Sequence, residues 1–89
     1  MDADEFDAGL RRDGYVDIQT KTLPPRPANT EHGHDYAVRG LVLEGIFIVS
    51  QNGQATAYHP GDVFSVAAGC EHTEEIGPEG ARVLVGLKY

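Results

Sequence analysis

Tryptophan is absent from this 89-residue chain, methionine and cysteine occur once each, and there are only three phenylalanines and four tyrosines. A single cysteine, Cys70, excludes an internal disulfide and fits a reducing compartment. No apolar run approaches the ~18 residues of a membrane span, so no membrane partner is expected. The opening residues, Met1 to Glu5, are acidic and carry no apolar stretch, so no secretory signal is expected and the expected location is cytoplasmic. Basic residues are scarce: seven Lys and Arg face fourteen Asp and Glu, for a net charge of −7. A chain this acidic lacks the positive footprint that neutralises phosphates, which argues against nucleic acid as a partner. Also missing are a phosphate-cradling glycine loop, a nucleophile elbow and a paired-cysteine zinc motif.

What remains is the size and pattern of one small domain. A domain of this length buries a modest share of its surface, so a metal or a second subunit is expected to help hold it. Residues 2–13 read as a short helix: Asp2 or Asp4 caps it, acids crowd its first turn, Arg11 and Arg12 close it, and Gly14 ends it. Phe6 and Leu10, four apart, give it a narrow apolar stripe. Tyr15 to Leu23 alternates as a strand, with Tyr15, Asp17, Gln19 and Lys21 on one side. Pro24-Pro25-Arg26-Pro27 reads as an extended loop. Beyond it the chain is short strands and turns. Tyr36 to Leu43 ends at a Glu44-Gly45 turn; Ile46 to Ser50 and Gln54 to Tyr58 flank Asn52-Gly53, a strong hairpin signal. Asp62 to Ala67, Cys70 to Ile76 and Ala81 to Lys88 follow, the last two parted by Gly77 to Gly80. Strands at this spacing predict a small sandwich or barrel.

His32 and His34 stand two apart, and in a strand such side chains leave from one face. Both imidazoles can then share one ion, and imidazole is the commonest metal-binding side chain near neutral pH. If the strand of His72 lies beside theirs in a barrel, a third nitrogen joins the pair and open coordination positions remain. Taken alone, a His-x-His pair is more often exposed or hydrogen-bonded than metal-bound.

The segment from His32 to His72 resembles the two signature motifs of the cupin family. The first motif runs His-x-His, three or four residues, Glu, six residues, Gly. Here it reads His32-Gly33-His34, then Asp35-Tyr36-Ala37, then Val38 in the Glu place, then six residues to Gly45. The second runs Gly, five residues, Pro-x-Gly, two residues, His, three residues, Asn. Here it reads Gly61, five residues, Ala67-Ala68-Gly69, two residues, His72, three residues, Ile76. The resemblance covers residues 28–87. It implies an all-β fold, a double-stranded β-helix or jelly-roll barrel over residues 28–89, with helix, strand and Pro-rich arm in residues 1–27. It further implies a divalent transition metal (Fe, Mn, Ni or Zn) held by His32, His34 and His72, and pairing as a homodimer. The family's usual fourth ligand, the motif Glu, is replaced by Val38, which cannot bind a metal. The expected site is therefore three histidines plus water or a small-molecule ligand, with weaker metal affinity and a preference for an anionic ligand.

Other residues are pocket candidates. Val38 faces the interior by parity with His34, and Tyr36 and Tyr58 pair an apolar ring with a polar tip. Cys70 and Glu74 flank His72 at two residues on either side; Cys70 reads as a buried small hydrophobe sooner than as a pocket or metal contact, and Glu74 as a solvated strand residue sooner than as a replacement for the lost carboxylate. Arg39, in an apolar strand, needs a partner such as Glu44, Glu31 or a substrate carboxylate. Two functions fit: a metal-dependent dioxygenase, isomerase or lyase acting on a small molecule, and a non-catalytic binding or sensor module, with or without metal.

Overall fold

A computed structural model describes residues 1–89. The chain opens with α1 (Ala3–Arg12) and continues through five strands: β1 (Val16–Leu23), β2 (Ala37–Gln51), β3 (Gln54–Tyr58), β4 (Val63–Val66) and β5 (His72–Lys88). Asp2 is the N-cap, its carboxylate accepting the Glu5 N–H at 2.8 Å. Phe6 and Leu10 are buried against Leu41 and Leu84, so the helix packs on the outside of the sheet. No helix is long and apolar enough to cross a membrane.

All strand pairings are antiparallel. β5 lies between β1 and β2, and the far edge of β2 carries β3 and β4. The Asn52-Gly53 hairpin forms as the sequence predicts, with φ of +53° and +76° at its two central residues. The other turn-like segments act differently. Glu44-Gly45 does not end a strand, and neither does Gly77 to Gly80: β2 and β5 run through them as long strands. In the β2–β5 ladder Phe47 pairs with Ile76 but Gly45 pairs with Ala81, so residues 77–80 bulge out opposite a single residue. At this corner Gly45 has φ +77°, and a Cβ on it would stand 1.9 Å from the Gly80 carbonyl oxygen. Only glycine allows both the conformation and the approach.

The corner folds the sheet onto itself. One layer holds β1, the second half of β5, the first half of β2, and β4. The other holds the second half of β2, β3, the first half of β5, and the arm ahead of β2. Arg26, for all its flanking prolines, exchanges both backbone hydrogen bonds with Ile76, at 3.2 and 2.9 Å. The core lies between the layers, where Val42, Phe64, Val83 and Val85 of one meet Phe47, Val49 and Ile76 of the other. Phe47 and Phe64 touch across it with ring centroids 4.7 Å apart. This is an antiparallel all-β jelly-roll with a short N-terminal helix, as the motifs imply.

Strand β1 departs from simple alternation. Asp17 has φ +52°, and the register with β5 shifts between Val16 and Gln19. The bulge puts Tyr15 and Ile18 on one face, both against the helix side of the sheet. Lys21 and Leu23 consequently turn to the interior.

Candidate metal centre

Two segments deliver the histidines. His32 and His72 form a backbone bridge, His32 N–H to His72 O at 2.9 Å and His72 N–H to His32 O at 2.8 Å. Directly opposed residues of an antiparallel pair send their side chains from one face. His34 follows two residues on, its carbonyl accepting the Gly69 N–H at 2.8 Å. The rings converge: centroids lie 4.4 Å apart for His32 and His72, 4.9 Å for His34 and His72, and 5.2 Å for His32 and His34. One nitrogen from each ring lies within 4.8 Å of the others, close enough for all three to hold one metal ion.

Neighbouring carbonyls orient the rings. His32 Nδ1 lies 2.8 Å from the Thr30 carbonyl and His72 Nδ1 lies 3.2 Å from the Cys70 carbonyl. A carbonyl only accepts, so His32 Nδ1 carries its hydrogen and His32 Nε2 is left as a lone-pair donor, while the Cys70 carbonyl offers His72 Nδ1 the same kind of partner. His72 is completely buried. The Nδ1 of His34 is buried with no hydrogen-bond partner, which an ordinary packed histidine avoids. Burial, then the charges of His72 and His32, lower the pKa of His34, with Glu74 partly opposing them. His34 therefore stays neutral and able to bind a cation to lower pH than a free histidine. Donor chemistry, tautomers and the orphaned nitrogen all fit a divalent metal.

Beside the histidines a cavity of about 230 Å³ enters the interior. Lys21, His32, His34, Tyr36 and Glu74 are its polar lining; Leu23, Val38, Phe47, Phe64, Val83, Val85 and Leu87 form the rest. Tyr36 stacks on His34 at 4.7 Å, nearly parallel. Val38 stands in the wall, where the motif carboxylate would be. A larger cleft of about 480 Å³ outside the Gly45–Gly80 corner gathers no histidine or cysteine.

Three pocket candidates lie elsewhere. Arg39 follows Val38 and so points to the opposite face, where Asp13 accepts its hydrogen bond at 2.7 Å and its guanidinium lies over the Tyr15 ring at 4.6 Å. Its partner is thus Asp13, while Glu44 pairs with Arg82. Tyr58, at the end of β3, packs against the core 5.8 Å from Phe64 and is not in the cavity lining. Cys70 precedes β5 in a tight turn, Cys70 N–H to Ala67 O at 3.1 Å, so strand parity with His72 does not extend to it. Its thiol instead meets the Gln51 side-chain oxygen at 3.3 Å. Glu74, inside the strand, does keep parity. Its carboxylate lies 3.1 Å from His72 Nε2 and 3.6 Å from Arg26.

Lys21 was not among the sequence candidates. Leu23, two residues on, shares its face, but which face of that strand points inward is set by the bulge at Asp17.

The Cupin domain family model matches residues 19–85. No curated protein matches the chain in sequence. Among solved structures, an RmlC-like cupin from Shewanella frigidimarina is 21% identical, with TM-score 0.68, over 80% of this chain and 63% of its own. A Rhizobium leguminosarum protein of unknown function is 22% identical, with TM-score 0.73, over 93% of this chain and 90% of its own. A predicted oxalate decarboxylase from Thermotoga maritima is 21% identical, with TM-score 0.70, over 90% of this chain and 71% of its own. The chain thus spans less than two thirds of the Shewanella protein. Because the family model runs through both histidine-bearing segments, strands β2 to β4 and most of β5, the chain belongs to the cupin family.

Proposed function

We propose that His32, His34 and His72 hold one divalent transition metal, Fe(II), Mn(II), Ni(II) or Zn(II), and that a small anionic molecule binds beside it in the cavity. The observation that carries this is the convergence of three ring nitrogens within 4.8 Å of one another at the head of an apolar pocket. A bound metal supplies Lewis acidity and open positions for a ligand. The protein's part is preorganisation. Thr30 and Cys70 carbonyls fix two of the rings, and Tyr36 stacks against the third. Lys21 brings a positive charge to the lining and favours a carboxylate or similar head group. Val38, Phe47 and Phe64 present apolar wall to the remainder of the ligand and exclude water. The Thermotoga neighbour's description as a predicted oxalate decarboxylase supports the same ligand class, a small carboxylate.

Elemental analysis of protein purified without a metal-affinity tag tests the metal site. About one equivalent of a transition metal per chain is expected. His72→Ala should lower affinity by more than the roughly 10–100-fold typical of losing an outer-shell partner. Metal-free wild-type protein that also takes up none on addition would leave a barrel with vestigial histidines.

A further inference from the structure

Val38 leaves the three-histidine centre without the carboxylate its family motif carries, yet a carboxylate stands next to it on another strand. Building on the metal site proposed above, we infer that Glu74 supplies the fourth metal ligand, from β5 rather than β2.

Parity with His72 brings Glu74 to the same face of β5, and its side chain lines the cavity with His32 and His34. Its backbone is clamped there by the arm: Glu74 N–H donates to Asn29 Oδ1 at 2.8 Å and Asn29 N–H donates to Glu74 O at 3.2 Å. The two carboxylate oxygens have separate tasks. Oε1 lies 3.6 Å from the Arg26 guanidinium; Oε2 lies 3.1 Å from His72 Nε2. That second distance falls within the ~3.0–3.4 Å between neighbouring ligands on one ion with bonds of about 2.1 Å. Closing on an ion shared with His32 and His34 then takes a turn of the Glu74 side chain about its own bonds.

Hydrogen-bond bookkeeping around His72 points the same way. Nδ1 faces the Cys70 carbonyl and Nε2 faces the Glu74 carboxylate, two groups that only accept. A neutral imidazole has one N–H to give. It can serve only one of these two acceptors; a cation between Nε2 and Oε2 bonds to both and leaves the N–H to Cys70. Charge argues likewise. Three neutral imidazoles leave a divalent ion with its full charge at the head of an apolar cavity, and one carboxylate halves it. Arg26 holds the carboxylate in place from its solvent side.

The test uses Co(II), whose visible absorption reports both occupancy and coordination, with the full chain and its Glu74→Gln, Glu74→Asp and His72→Ala variants. Glutamine removes the charge with little change of shape. Aspartate keeps the charge but withdraws the oxygens by one methylene. Both Glu74 variants are expected to bind Co(II) roughly tenfold or more weakly and to alter the band intensities. Wild-type affinity and spectrum in Glu74→Gln, with Co(II) lost from His72→Ala, would overturn the fourth-ligand assignment and leave the three-histidine site standing. Weakening in Glu74→Gln alone, with Glu74→Asp unchanged, would reduce Glu74 to a nearby charge and equally overturn it. A wild-type chain that takes up no Co(II) would remove the metal site itself and this inference with it.

Discussion

Gly40 faces Phe64 across the β2–β4 pairing, and a Cβ built on it would stand 2.2 Å from the ring's Cζ. Phe64 is almost fully buried and has Phe47 and Tyr58 packed around it, so the ring has no easy retreat. Gly40→Ala should therefore destabilise by about 1–3 kcal/mol, the usual cost of overpacking a filled core. Thermal melts would show it as a fall of roughly 4–8 °C per kcal/mol in Tm; an unchanged Tm would mean the ring relaxes freely. Single residues also show how far sequence reading reaches. Val38 and Glu74 follow the two-residue period of a strand, and there the period holds; His32 and His34 converge although a single bridge at His32, not a strand, carries them. Arg39 was ambiguous by composition, yet the same period, applied to its neighbour Val38, turns it outward. Cys70 sits two residues from His72, but a turn intervenes, and period-two reasoning has no force outside a strand. Nothing in the sequence singles out Lys21 until the Asp17 bulge is known.

At the scale of elements, the chain's glycines were legible as breaks but not as the kind of break. Gly53 reverses the chain; Gly45 and Gly80 bend strands that continue. The difference depends on what packs opposite: Gly45 meets the Gly80 carbonyl on the neighbouring strand, a long-range contact no local pattern encodes. The helix was legible because cap, dipole charges and stripe are all local. Its tether was not. Asp13, just past the helix end, accepts from Arg39 on β2, and that hydrogen bond is the chief reason its pKa lies below the ordinary 3.8. The unfolded chain therefore binds this proton more readily than the folded one, so stability from the pair is complete above pH 3.8 and is lost as pH falls through the lower folded value. The stability gap between wild type and Asp13→Asn should accordingly be open at pH 6 and narrow below pH 3.8, followed by urea melts at each pH. A gap constant across that range would show that the carboxylate's charge does not hold the helix to the sheet.

For the molecule as a whole, the proposed metal acts on folding as well as function. The arm, from Arg26 to His34, has no strand of its own; bridges at Arg26 and His32, with the paired Asn29 backbone between them, tie it to β5. An ion shared by His32, His34 and His72 would join that arm to β5 at a second level, in a domain small enough for one such link to matter. The rest does not need it: apolar clusters on both sides of the sheet hold the layers and the helix together. Metal binding is thus expected to stabilise a chain that already folds, not to fold it. At a free metal concentration of 100 times Kd the gain is about 2.7 kcal/mol, or roughly 10–20 °C in Tm at this size. A chelator should return the melt to its metal-free position with secondary structure intact by circular dichroism. His72→Ala should melt at one temperature with or without metal. The variant is essential, because fourteen acids on a chain of net charge −7 offer other places for a cation. A rise in Tm that survives in His72→Ala would belong to those acids, and the three histidines would then have no part in it.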